Sequence, residues 1–256
     1  MKLEVMLSVM NLNKEDLDKM NITSKCTVIN QCGKENFEKY KNFNIYSYNE
    51  IGTSNSRNRG LEHITEDIIL LCDDDIIYNE DYEKNILQEF KNNKKADVII
   101  FNVNRKHIKK RMIKNRKRLR IYNCLHYASV NIAFRKNVVL EKKIKFNNLF
   151  GPNAKYSNGE DTLLIVDMLK NKLKIYSSPI NIGISNGNKS TWFNGYNEKF
   201  FFDKGALFTV INKRLRLFLI IQYLIRHNDI LSNINFLKAL KIMLRGSKDY
   251  INNYYA

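Results

Sequence analysis

Proline is almost missing from this chain, with two residues in 256 beside ten glycines. No Pro/Gly-rich linker, internal repeat or low-complexity tract divides the sequence. That argues against two independent domains and for one α/β domain with an extension. Cysteine is equally sparse. Cys26, Cys32, Cys72 and Cys124 show neither the CxxC spacing of a zinc site nor the density of a disulfide scaffold, so inert thiols in a reducing cytosol are expected. No apolar run is long enough to span a bilayer, and the longest, Leu215 to Ile225, is interrupted by Arg216 and Gln222. The opening MKLEVMLSVMN has an acid inside its short apolar run and no cleavage-type tail. It reads as a first strand rather than a signal peptide. Acids are also in deficit, 26 against 43 bases, and the formal charge of +17 favours an anionic partner without naming one. Nucleic acid, an anionic membrane surface and diphosphate substrates all qualify.

What is present in the first half is alternation. Apolar runs at Leu3 to Val9, Cys26 to Asn30, Phe43 to Ser47, Asp67 to Cys72 and Asp97 to Val103 read as strands. The helix-compatible segments Lys14 to Met20, Glu35 to Tyr40, Ser56 to His63 and Glu80 to Asn92 separate them. Such an order predicts an α/β fold, a mostly parallel sheet flanked by helices.

One stretch concentrates the chemistry. From Gly52 a polar loop (Thr53, Ser54, Asn55) leads into a short helix carrying Arg57. The apolar run Ile68 to Cys72 follows, and then three consecutive acids, Asp73, Asp74 and Asp75. A run rich in β-branched residues reads as a strand buried on both faces. Its acids then sit at the carboxyl edge of the sheet, where open α/β sheets bind ligands. Three adjacent carboxylates repel one another unless they are exposed, paired with bases or bound to a cation. Hard oxygen ligands suit Mg²⁺ or Mn²⁺ shared with a substrate's phosphates. A solvated acidic turn is the plainer alternative.

Asp73-x-Asp75 behind such a strand, preceded by Gly52, Ser54, Arg57, Asn58 and Gly60 as G-x-S-x-x-R-N-x-G, resembles the nucleotide-sugar-binding core of glycosyltransferase family 2. Its members are inverting enzymes with the Rossmann-like GT-A fold. The resemblance implies that Asp73 lies near the ribose, that Asp75 holds the metal, and that Arg57 faces the diphosphate, with Ser54 and Asp74 beside the donor. At the ends of the first two strands the family shows a P-T-Y-N-like turn and an acidic turn that reads the base. This chain has Ser8, Val9, Met10, Asn11 and then Asn30, Gln31, Cys32, Gly33. Ser8, Met10, Asn11, Asn30 and Gln31 are the implied donor contacts, with amides in place of acids. An amide can pair with uracil's imide edge, or these residues simply stabilise a turn.

Further on, Gly159, Glu160, Asp161 and Thr162 precede a helical run from Leu163 to Asn171. Acids at a helix start offset the positive end of its dipole. The segment also matches the family's E-D motif, whose second acid is the usual general base. That role carries over to Asp161, and Glu160 would orient the acceptor or the adjacent loop.

The remainder is less specific. Arg105 to Arg120 is the most basic stretch. It suits a solvated surface or attraction of a lipid-linked diphosphate acceptor, and it lacks the interleaved aromatics that stack on single-stranded nucleic acid. Ala128 to Arg135 and Leu173 to Ser177 read as strands, the latter ending in a turn at Pro179. Trp192 packs a lid or a helix start, or forms a platform against sugar or nucleotide rings, with Lys199 or Lys204 offering charge to phosphate. Two amphipathic helices, about Leu207 to Arg226 and Ile230 to Arg245, are expected to pack on the catalytic domain with a basic rim toward a membrane.

The expectation is therefore a GT-A catalytic domain over 1–205 with a basic helical extension over 206–256. It is an inverting transferase dependent on Mn²⁺ or Mg²⁺, moving a sugar from a nucleotide-sugar donor, a UDP-sugar by preference, to a glycan or lipid-linked glycan as in surface polysaccharide synthesis. It is expected in the cytoplasm, in peripheral contact with the anionic inner face of the membrane, with no nucleic-acid partner. A nucleic-acid-binding protein and a metal-dependent nucleotidyltransferase are the alternatives.

Overall fold

In the first half of the chain, successive apolar residues fall on opposite sides of extended segments, and each side finds its own layer of helices. The computed structural model describes residues 1–105, 112–124, 131–186, 195–231 and 234–255. Its leading strands are β1 (Leu3–Met10), β2 (Lys25–Gln31), β3 (Asn36–Tyr40), β4 (Phe43–Tyr48), β5 (Ile68–Asp73) and β6 (Ile76–Tyr78). Helices α1 (Lys14–Lys19), α2 (Thr53–His63) and α3 (Tyr82–Asn92) lie among and after them. Next come β7 (Val98–Arg105), β8 (Lys117–Arg118), β9 (Ile132–Arg135), α4 (Lys136–Glu141), α5 (Glu160–Lys170) and β10 (Ile175–Ser185). The chain closes with α6 (Glu198–Ile211), α7 (Arg216–Arg226), a 3-10 turn and α8 (Phe236–Tyr254).

Among the described residues, ten strands join one sheet in the order β3-β4-β2-β1-β5-β9-β7-β10-β6, with β8 paired to β10. The half from β4 to β5 is parallel. Strand β9 enters antiparallel between β5 and β7, and β3, β6 and β8 are antiparallel additions. Val5, Leu7, Leu70, Ile99 and Phe101 pack with Leu17, Ile86 and Phe90 on the face covered by α1 and α3. Met6, Ile69, Leu71, Val98 and Ile100 point the other way, toward Leu61, the buried side of α5 and the C-terminal helices. Strand β5 is fully buried from Ile68 to Cys72, as its unbroken apolar run requires.

Three expectations are corrected. Residues 36–40 form an antiparallel edge strand, not a helix, because β4 offers them a full ladder from Ser47 to Phe43. The strand begun at Ile175 continues to Ser185. Pro179 is tolerated at a register shift between Ser177 and Asn181, where no ladder hydrogen bond is lost. Among the described residues the tail holds three α-helices rather than two. Asn212 ends α6, and its side chain accepts from the amides of Arg214 and Leu215 to start a turn. Residue 205 lies inside α6. The four cysteines are free thiols.

Helices α6 and α8 cross in backbone contact. A Cβ added at Gly205 would lie 1.9 Å from the carbonyl oxygen of Met243, and one at Gly246 would lie 1.9 Å from that of Phe202. Beside the crossing, the buried Thr209 hydroxyl donates to Ser247 Oγ at 2.8 Å.

Candidate active site

The R-N-x-G segment forms the middle of α2, and each of its residues has a distinct mechanical task. Gly60 lets the helix settle onto β1, where any side chain would collide with Met6, its Cβ 2.5 Å from that sulfur. Asn58 grips the backbone of Phe146, donating to its carbonyl at 2.9 Å and accepting from its amide at 2.8 Å. Arg57 is buried, its guanidinium 5.3 Å from the centre of the Phe146 ring. From there it donates through Nη2 to Asp73 at 2.8 Å and through Nη1 to Asp161 at 2.8 Å. The end of β5 and the start of α5 thus meet at a single arginine. Burial works against the arginine's charge, but Asp73, Asp161 and Glu160 outweigh it and raise its pKa.

Helix α5 begins where Gly159 takes a left-handed conformation (φ 112°), with its Cα against Leu207 of α6. Glu160 and Asp161 occupy the first turn, where the dipole favours anions. Glu160 is buried against Gly151, itself at φ 112°. Burial and then the neighbouring Asp161 push the Glu160 carboxyl up to about 7, with Arg57 pulling the other way. An acid raised in the folded state contributes stability that is complete below its ordinary value of 4.5 and is lost as pH rises through about 7. Glu160→Gln should therefore raise the melting temperature above neutrality and leave it unchanged near pH 4.5. Thermal melts of both proteins across that range check this, and an equal gain at every pH would contradict it.

The loop leading into α5 is tied from behind by the C-terminal helices. Asp203 of α6, fully buried, accepts from the Ser157 amide at 2.9 Å and hydroxyl at 2.6 Å and pairs with Lys199. Asp249 of α8 accepts from the Tyr156 hydroxyl at 2.7 Å and pairs with Lys155. Lys199 is thus committed to Asp203. Half-buried Lys204 has its ammonium pushed down to about 8 by burial, against the pull of Glu160 and Asp203.

The three strand-end acids diverge. Asp73 faces Arg57, Asp74 is exposed, and Asp75 accepts from the Ser185 hydroxyl at 2.5 Å. A cleft of about 260 Å³ brings Asp74 and Asp75 together with Met10, Asn11, Asn13 and Asn186. The other expected donor contacts are engaged within the protein. Ser8 donates to Ser56 Oγ, Asn30 accepts from the Leu12 amide, Gln31 accepts from the Gly52 amide, and Ser54 donates to the Phe150 carbonyl. Trp192 and residues 106–111 of the basic block lie outside the described residues. Sequence reasoning missed Asn58's grip on Phe146, Ser185 behind Asp75, and the Asp203 and Asp249 ties. Only Asn58 carried a signal, as a member of the quoted motif.

No group of three or more His, Cys, Asp or Glu side chains with metal-binding geometry occurs among the described residues. That geometry still suits a cation whose other ligands come from a substrate's phosphates. Asp75 has one oxygen held by Ser185 and its second oxygen is uncommitted among the described residues.

The glycosyl transferase family 2 model matches residues 33–151, which include Arg57 and the three aspartates and end before Glu160 and Asp161. No curated protein matches the sequence significantly. Among solved structures, S. aureus TarS 1–349 in complex with UDP-GlcNAc superposes with a TM-score of 0.70 at 14% identity, covering 98% of this chain and 81% of that one. The mannosyltransferase PcManGT from Pyrobaculum calidifontis, in complex with GDP-Man and Mn²⁺, gives 0.53 at 10% identity over 98% and 75%. At such identities the likeness concerns the fold. Residues 33–151 thus match the glycosyl transferase family 2 model, within a fold that resembles those of TarS and PcManGT over nearly the whole chain.

Proposed function

We propose that the protein transfers a sugar, with inversion, from a nucleoside diphosphate donor to a hydroxyl of a glycan or lipid-linked glycan, and that UDP is the preferred carrier. The observation that carries this reading is the Arg57 bridge. It holds Asp73, at the ligand-binding edge of the sheet, and Asp161, at the start of α5, on one guanidinium. The donor would lie across Met10, Asn11, Asp74 and Asp75, with Asp73 toward the ribose. Asp161, kept in place by Arg57, takes the proton of the acceptor hydroxyl as that oxygen attacks the anomeric carbon. The bond from that carbon to the diphosphate breaks on the opposite face, and the nucleoside diphosphate leaves with the electron pair. Asp75 would hold Mn²⁺ or Mg²⁺, which when bound offsets charge on the diphosphate. Glu160 lies behind the base and fixes its turn against Gly151.

The names of the superposed structures support this class of donor, since one holds UDP-GlcNAc and another GDP-Man with Mn²⁺. The preference for uracil rests on the amides at Asn30 and Gln31, where a rearrangement of their hydrogen bonds would expose a donor and an acceptor together. Calorimetric titration with UDP, GDP and TDP, each with Mn²⁺ and with a chelator, tests the reading. UDP should bind only with the metal, and Asp75→Asn should abolish that binding. Indifference to all three diphosphates, with tight and salt-sensitive binding to nucleic acid instead, would replace a transferase with a nucleic-acid-binding protein.

A further inference from the structure

Helix α7 is apolar nearly all round, yet only Ile220 and Leu224 of its side chains are buried. Phe218 is 61% exposed and Ile225 65%, with Leu215 and Leu217 also more than half exposed. A helix that is apolar on both its packed and its outer side needs an apolar neighbour on the outer side. The adjoining α8 has a solvent-facing stripe of a different kind. Leu237, 69% exposed, and Leu244 alternate there with Lys238, Lys241, Arg245 and Lys248. Lys213 and Arg214 stand exposed just ahead of α7. The acids of this region are Glu198, paired with Lys238; Asp249, turned inward to Lys155 and Tyr156; and Asp229 in the 3-10 turn.

We propose that the outer surface of α7 and α8 docks on an anionic lipid bilayer. Eleven residues of α7 rise about 16 Å, too short to span a hydrocarbon core, and no described helix is long and apolar enough to cross a membrane. The helix lies in the interfacial plane, with Phe218 and Ile225 among the acyl chains. The lysines and arginine of α8 keep their stems on the apolar surface and their charges at the headgroups. Charge selects this occupant over a second copy of the chain, because a symmetric pairing would bring the same cations together. The surface is separate from the cleft at Asp74 and Asp75, so the inference stands apart from the transfer reaction proposed above.

The test is co-sedimentation of the full chain with vesicles of phosphatidylcholine alone and of phosphatidylcholine with phosphatidylglycerol. The protein should pellet with the anionic vesicles only. Reversing two charges, Lys241→Glu with Arg245→Glu, should weaken the partition about twentyfold or more, since each basic residue near such a surface contributes about fivefold. Phe218→Ser with Ile225→Ser should weaken it at least about tenfold. Both double variants change exposed side chains and should keep the wild-type melting temperature and nucleotide binding. The proposal is overturned by absence from anionic vesicles, by equal binding to uncharged ones, or by variants that bind as the wild type does. A dimer in sedimentation velocity that Phe218→Ser with Ile225→Ser dissolves would assign the face to a second copy instead.

Discussion

Replacing Asp161 by Asn should lower the rate of sugar transfer about 10²–10⁴-fold, the range of a lost general base, and leave donor binding where it was. The amide keeps the shape of the side chain, and its oxygen can still accept from Arg57 Nη1, as the carboxylate does at 2.8 Å. Arg57 also keeps its second partner, Asp73, so the guanidinium is not stranded in a buried site, the usual source of large stability losses when one ion-pair member is removed. The amide cannot accept the proton of an attacking hydroxyl. Single-turnover assays with the preferred donor, beside calorimetry of nucleotide binding, separate the two effects. Transfer at the wild-type rate would remove Asp161 as the base. Lost nucleotide affinity would make it part of the donor site.

Gly205→Ala should lower the melting temperature by roughly 6–12 °C. Two effects oppose each other. Alanine is favoured over glycine inside a helix by about 1 kcal/mol. The added methyl, however, would sit 1.9 Å from one backbone atom of Met243 and 2.6 Å from the next, and a backbone cannot swing aside as a side chain end does. Over-packing costs about 1–3 kcal/mol where the surroundings relax and more where they do not. A net loss of about 3 kcal/mol corresponds to that shift for a chain of this size. Differential scanning calorimetry checks it, and Gly246→Ala, which meets Phe202 from the opposite side, should behave alike. Melting at or above the wild-type temperature would mean that the two helices do not cross so closely.

The parts of the molecule legible in the sequence are those where one residue pattern allows one physical solution. Ile68 to Cys72 can only be a strand with both faces covered, and the carboxylates after it must then lie at the sheet's edge. The peptide Asn36 to Tyr40 was misread because an exposed edge strand satisfies half of its backbone through its neighbour and shows little apolar periodicity of its own. The break at Asn212 is marked in the sequence by the polar run Asn212, Lys213 and Arg214, but apolar residues resume helical spacing on its far side and mask the interruption. In the site, Arg57, Asp73 and Asp161 were each identifiable from motifs, but the motifs did not reveal that the arginine would hold both acids. Asp203 and Asp249 left no trace, because each acts on a loop far away in sequence.

Those two ties also bear on how a distant substitution would reach the cleft. Asp203 and Asp249 lie 46 and 93 residues further along the chain than the serine and tyrosine that they hold. A change that displaces α6 or α8 would therefore shift the loop ahead of Asp161 without touching any of the strand-end acids, so the outer helices set the position of that loop from behind.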